Sequence, residues 1–144
     1  MYVADILKTK GSKVITVRAD LRILHIAQLL RTERIGALVV SESGTTVDGI
    51  ISERDIAHGL AEHGAEILMR TAADLMTKAV VTCSPNDTIA QVAKAMTERR
   101  IRHMPVTEGK KLVGIISIGD VVKHRLDELE LESNVMRNYI AGAQ

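Results

Sequence analysis

The chain has no phenylalanine and no tryptophan, and its only tyrosines are Tyr2 and Tyr139. Proteins that bind single-stranded nucleic acid stack bases on aromatic rings, so this shortage argues against that class. A purine bound here must lie between aliphatic side chains. Cysteine is almost as scarce. The single Cys83 excludes an internal disulfide and a Cys-rich zinc site. Within the run Val80-Val81-Thr82-Cys83 it reads as a small buried hydrophobe rather than a reactive thiol. Charge of one sign is missing too: 19 basic and 18 acidic residues leave a net charge of +1. That balance gives no general attraction for nucleic acid or anionic lipid. No apolar run approaches the roughly 20 residues of a membrane helix. The start, Met1-Tyr2-Val3-Ala4-Asp5, has no signal-peptide pattern. The expectation is a cytoplasmic protein without a membrane partner.

What is present fits a globular chain of 144 residues, 46% hydrophobic and 26% charged, long enough for one domain or two small halves sharing a core. Tyr2–Leu7 reads as a short helical lead-in, followed by a polar loop from Lys8 to Lys13. Val14-Ile15-Thr16-Val17 is a β-branched strand. After Asp20, apolar residues at Ile23, Ile26, Ala27 and Leu30 recur at helical spacing. Ile35–Val40 reads as a buried strand, and a turn from Ser41 to Thr46 leads into a further strand, Val47–Ile51. A helix from Arg54 ends near Gly59 or Gly64.

This order then starts again. Subtracting positions, 80 minus 14 and 106 minus 40 both give 66, so Val14–Val40 aligns with Val80–Val106 without a gap. Val14/Val80, Thr16/Thr82, Ile23/Ile89, Ala27/Ala93, Arg34/Arg100, Ile35/Ile101 and Val40/Val106 are identical across it. Ala4-Asp5-Ile6-Leu7 likewise matches Ala73-Asp74-Leu75-Met76. Two copies of this length indicate a duplicated half-domain, since solenoid units run only to about 50 residues. Each copy alone buries too little surface to be comfortably stable, so the copies are expected to pack through their sheets. The resulting division is 1–62 for the first repeat, 63–71 for a linker, 72–126 for the second and 127–144 for a C-terminal helical extension. That extension carries Leu126, Leu129, Met136 and Ile140 at three- and four-residue steps, with polar Ser133 where another apolar residue would fall. Self-association is the favoured reading of so narrow a stripe.

The duplication also contains a chemical signature. Gly49-Ile50-Ile51-Ser52-Glu53-Arg54-Asp55 and Gly114-Ile115-Ile116-Ser117-Ile118-Gly119-Asp120 share a Gly, an apolar pair, a Ser and an Asp. Each runs a strand into a helix start, where backbone N–H groups attract anions. Ser-x-x-Asp by itself is close to a capping box. Its occurrence in register in two repeated units favours a ligand role in at least one of them.

Arrangement and signature together resemble a tandem pair of cystathionine-β-synthase-type (CBS) domains, from about Val3 to Leu126. The resemblance implies an α+β fold of two pseudo-symmetric β-α-β-β-α repeats with a long C-terminal helix added. It implies a stand-alone regulatory module, without catalytic residues, that binds AMP, ATP, NAD(H), S-adenosylmethionine or a similar adenosine compound between the repeats. It also implies a homodimer of pairs, and an effector carried on another chain. By position, Asp55 and Asp120 would hold ribose hydroxyls, and Ser52 and Ser117, with Ile116 beside the latter, would contact ribose or phosphate. Adenine would lie against Lys13-Val14-Ile15 with Gly36-Ala37 in one cleft, and against Thr77-Lys78-Ala79-Val80 with Met104-Pro105 in the other.

Phosphate needs cations. Arg102 and His103 match positions where the family places basic residues, and Arg54 is a third candidate. The matching residues of the first repeat, Gly36 and Ala37, cannot serve, so unequal clefts are expected. Because Arg102 and His103 share a repeat with Asp120, the Asp120 cleft is the expected phosphate site. Arg99 and Arg100 read as a solvated helix end. Ser52 and Ser117 have no His at a shared spacing, and His25, His58, His63 and His124 show no metal-ligand pattern; nor do His103 and Glu108 suffice for one. No enzyme activity and no metal are expected. Two other classes stay open: an interaction module that binds no small molecule, and a nucleic-acid binder using Arg99, Arg100, Arg102 and Lys110-Lys111.

Overall fold

A computed structural model describes residues 1–142; the last two positions of the expected C-terminal extension lie outside the described residues. The chain forms α1 (Val3–Lys10), β1 (Thr16–Val17), α2 (Ile23–Glu33), β2 (Ala37–Val40), β3 (Gly49–Ser52) and α3 (Glu53–His63). A 3₁₀ turn (Gly64–Met69) leads to α4 (Ala72–Leu75), α5 (Ile89–Arg99), β4 (His103–Glu108), β5 (Lys111–Ser117) and α6 (Ile118–Gly142). In the first half β1 runs parallel to β2, and β2 pairs antiparallel with β3. In the second half β4 and β5 form a hairpin with an irregularity between Val106 and Thr107. This is the expected α+β duplication.

The strands that open the repeats are shorter than their β-branched runs suggest. β1 keeps only Thr16 and Val17 of its run, and Val80–Cys83 is reduced to a single parallel bridge between Cys83 and Val106. The residues ahead of the pairing, Ile15 and Val80, line clefts instead of joining a ladder. α3 passes through Gly59 and stops at Gly64, whose φ of 74° ends a helix at little cost for glycine. The segment expected as a linker is anchored by Ile67, which is fully buried in the first core.

There are two cores, and each contains part of the other repeat. Val17, Ile23, Ile26, Leu30, Leu38, Val40, Ile51 and Ile56 cluster with Ile67 and Ala72, so α4 completes the first core. Cys83, Ile89, Val92, Met96, Met104, Val106, Ile116 and Val121 cluster with Val3 and Ile6, so α1, the start of the chain, completes the second. The lead-in helices are exchanged. Leu38 and Val40 point into the first core, while Ala37 and Val39 lie on the opposite face of β2 and are also buried, at 5% and 0% exposure. The other half does approach the chain just ahead of β2: a Cβ built on Gly36 would stand 2.8 Å from His103 Nε2.

The two signature glycines are explained by this exchange. A Cβ at Gly114 would lie 2.6 Å from Leu7 Cδ2 of α1. At Gly49 it would lie 2.5 Å from Met76 Sδ, just after α4, and 3.2 Å from the Thr77 carbonyl oxygen. Thr77 also exchanges two backbone hydrogen bonds with Ile50, at 3.0 and 2.9 Å. A side chain on either glycine would force Leu7 or Met76 to give way, and at Gly49 it would also crowd the Thr77 carbonyl.

Gly114→Ala is expected to destabilise the fold by about 1–3 kcal/mol through overpacking. Leu7→Ala should remove the obstacle, so the double variant loses less than the sum of the single losses. Strictly additive losses in urea denaturation would show that α1 does not sit on β5. Gly49→Ala should cost more than Gly114→Ala, because a backbone oxygen cannot rotate away as a leucine methyl can.

Candidate functional site

Each signature builds a strand-to-helix corner held by one carboxylate oxygen. At the first, the Ser52 N–H (2.8 Å) and the Ser52 hydroxyl (3.1 Å) both donate to Asp55 Oδ2, and the Asp55 N–H donates back to Ser52 Oγ at 3.4 Å. At the second, the Ser117 N–H (2.9 Å) and hydroxyl (3.0 Å) donate to Asp120 Oδ2, and the Asp120 N–H donates to Ser117 Oγ at 3.2 Å. Both are capping boxes. In both, Oδ1 takes no hydrogen bond among the described residues, so capping leaves one acceptor of each carboxylate for a ligand hydroxyl.

Two clefts adjoin these corners, and each is assembled from both repeats. The first, of about 390 Å³, brings Ser52, Arg54 and Asp55 together with Thr77, Ala79, Val80, Arg100, Arg102 and His103. The second, of about 470 Å³, brings Ser117 and Ile116 together with Lys10, Lys13, Ile15, Arg34, Gly36, Ala37 and His103. Both volumes fall in the range of small-molecule sites. The expectation that Arg102 serves the Asp120 corner is therefore corrected. Arg102 lines the Asp55 cleft, because the segment entering each half lies beside the signature strand of the other. His103 borders both. Met104 and Pro105 line neither cleft: along β4 the side chain of Met104 turns into the second core at 1% exposure, and Pro105 is buried beside it. Ile116 is itself fully buried in that core, so it borders the cleft mainly by its backbone.

The two corners differ electrostatically. Lys10 Nζ sits 2.7 Å from Asp120 Oδ2 and donates also to the Ile115 carbonyl at 3.1 Å. Burial pushes the Asp120 carboxyl up, but the Lys10 ammonium and the Ser117 N–H outweigh it and hold the group below the usual carboxylate range. No cation bridges Asp55 among the described residues. Arg54, next to it, reaches across the cleft and donates to the Arg100 carbonyl at 3.1 Å. His103 is held below its ordinary value by burial and by Lys10, with Glu53 and Asp120 opposing and Arg102 adding to the depression. It is therefore neutral at pH 7, so the positive charge of the first cleft comes from Arg54, Arg100 and Arg102.

Reading along the sequence missed three of these side chains. Arg34 and Arg100 end α2 and α5 in the left-handed region, at φ 55° and 53°, and each lines a cleft. A non-glycine residue there is strained, and duplication of the strain was visible as the identical pair Arg34/Arg100. Lys10 falls within the expected polar loop, whereas the extra turn of α1 carries it to Asp120. Cys83 is buried at 6% exposure, with its thiol pushed up to about 12 by burial and by Asp87, which makes it unreactive. Among the described residues no three His, Cys, Asp or Glu side chains gather as a metal site, and no helix is long and apolar enough to cross a membrane.

Comparison with known proteins agrees with this geometry. The family model described as CBS domain matches twice, at residues 3–62 and 72–127. The mitochondrial CBS domain-containing protein CBSX3 of Arabidopsis thaliana is 30% identical over 148 residues, covering 97% of this chain and 72% of that protein. The crystal structure of a CBS-domain containing protein from Agrobacterium tumefaciens superposes with a TM-score of 0.84 at 45% identity, covering 87% of this chain and 99% of the other. The CBS domain pair of protein MJ0100, solved in complex with 5′-methylthioadenosine and S-adenosyl-L-methionine, gives a TM-score of 0.78 at 28% identity over 89% of this chain and 98% of the other. With both halves matched and the pair fold reproduced, the chain belongs to the CBS domain family as a tandem CBS pair.

Proposed function

We propose that this chain is a non-catalytic regulatory module that binds an adenosine-containing, phosphate-bearing ligand in the Asp55 cleft. The observation that carries the reading is that three arginines, Arg54, Arg100 and Arg102, line this cleft together with a carboxylate that no cation bridges among the described residues. Guanidinium forks suit phosphate oxygens, and the spare Asp55 oxygen suits a ribose hydroxyl. Ala79, Val80, Val81 and Ile101 supply aliphatic faces for a base in a chain that lacks aromatic rings. The adenosine ligands of the MJ0100 pair support the ligand class. AMP, ATP and NAD(H) carry phosphates that the arginines would engage, whereas S-adenosylmethionine offers them only its single carboxylate. The second cleft is the weaker candidate, since Asp120 is not among its lining residues and Lys10 already neutralises that carboxylate through its capping oxygen.

Output requires that the ligand bind two states of the protein with different affinity. Both clefts lie between the halves, so a ligand acts on their relative placement, and a second copy of this chain or a separate effector protein in the cytoplasm reads the change.

Thermal-shift measurement with AMP, ATP, NADH, S-adenosylmethionine and a short RNA tests the reading. A ligand at about 100 times its dissociation constant should stabilise the fold by roughly 2.7 kcal/mol. No shift with any adenosine compound at millimolar concentration would remove the sensor reading, and a shift with RNA alone would favour the nucleic-acid class.

Arg102→Ala should weaken ATP binding about tenfold or more while affecting adenosine little, because only the phosphates face the guanidinium. Asp120→Ala should leave ATP affinity nearly unchanged and cost about 1 kcal/mol of stability as a lost cap. Calorimetric titration showing the opposite pattern would move the ligand to the second cleft.

A further inference from the structure

Beyond the globular halves, α6 packs on nothing among the described residues. Val121 and His124 bury its first turns against the body, and Glu128 accepts from the N-terminal amine at 3.4 Å and pairs with Arg125 at 3.1 Å. From Leu129 onward every described residue is exposed, a stretch of roughly 20 Å at 1.5 Å per residue. An isolated helix of that length is marginal in water. Yet it exposes Leu129 (44%), Leu131 (59%), Val135 (61%), Met136 (63%), Tyr139 (76%) and Ile140 (56%).

The exposed row has a definite period. Val122, Leu126, Leu129, Ser133, Met136 and Ile140 follow one another at steps of 4, 3, 4, 3 and 4, which places Leu126, Ser133 and Ile140 at heptad position a and Val122, Leu129 and Met136 at d. Leu131, Val135 and Tyr139 repeat every four residues and fall at f, c and g, outside this seam.

We propose that α6 pairs with α6 of a second copy as a parallel, in-register two-stranded coiled coil. Charge decides both partner and direction. In a parallel pair each g residue faces the e residue of the next heptad across the seam. Here Arg125 (g) faces Glu130 (e) of the second copy, and Glu132 (g) faces Arg137 (e) of the second copy; symmetry repeats both, so every charged g–e contact is attractive. An antiparallel pair that keeps all six layers would set Glu130 against Glu130 and Glu132 against Glu132 of the second copy. Ser133 at a central a position places hydroxyl against hydroxyl only when the helices are in register. Val122 and Leu126 reach the seam from the turns still anchored to the body, so the coil grows directly from the globular halves. The inference rests on the self-association reading above and is independent of which ligand binds.

The test uses the full chain. Ser133→Cys should cross-link two copies through a disulfide under mild oxidation, and Leu131→Cys, at f, should not. Cys83, 6% exposed, does not interfere. In sedimentation equilibrium, Leu129→Asp should weaken the dimer at least about tenfold. Glu132→Arg should weaken it severalfold, and adding Arg137→Glu should restore it, since reversing both charges re-forms the pair. A monomeric full chain would overturn both self-association and the coil. A dimer indifferent to Leu129→Asp would overturn the coil alone. A dimer sensitive to Leu129→Asp that fails to cross-link at position 133 would place the helix against another part of the second copy, which also overturns it.

Discussion

The close approach of exchanged segments to Gly49 and Gly114 is the contact on which the rest of this protein depends. With α1 in the second core and α4 in the first, neither repeat has a complete interior of its own. Separating the halves would expose Val3 and Ile6 on one side and Ala72 on the other. Hydrophobic burial of this kind is non-directional and proportional to area. What gives it direction is the absence of a side chain at two positions, which lets α1 approach β5 and the segment after α4 approach β3.

The same exchange produces the mixed clefts. Each signature corner comes from one repeat and faces the strand-entry segment of the other, so both sites exist only in the assembled pair. It also separates the two carboxylates in character. α1 ends at Lys10, close enough to bridge Asp120, while the shorter α4 stops at Leu75 and delivers no cation to Asp55. Two corners with nearly superimposable hydrogen bonds thus differ in charge because the helices that visit them differ in length.

Much of this was legible in the sequence. The offset of 66 between Val14–Val40 and Val80–Val106 exposed the duplication, and Ser-x-x-Asp announced both corners. Periodicity placed α2, α3, α5 and the long last helix, which starts at Ile118 because Ser117 and Asp120 cap it. The partner of each corner was not legible. Arg102 stands beside Met104 and Asp120 in its own repeat, and only the crossing of the halves carries it to Asp55. Likewise Gly36 and Ala37 indicated a cleft without cations, but Lys10 and Lys13 arrive there from the preceding segment and Arg34 from a helix end. Local patterns report which face a residue takes; they do not report which distant segment meets that face.

Arg34 and Arg100 also define a trade-off. A left-handed helix end is where glycine is cheapest, and an arginine there gives up about 1 kcal/mol of stability relative to it. The molecule carries that deficit twice, at matching points of its two halves. In return, a helix terminus fixed on both sides holds each guanidinium stem at the rim of a cleft, where a flexible loop would let it wander. A glycine at either position would give a sturdier protein with one cation fewer at the opening, so thermal stability and charge at the clefts pull this fold in opposite directions.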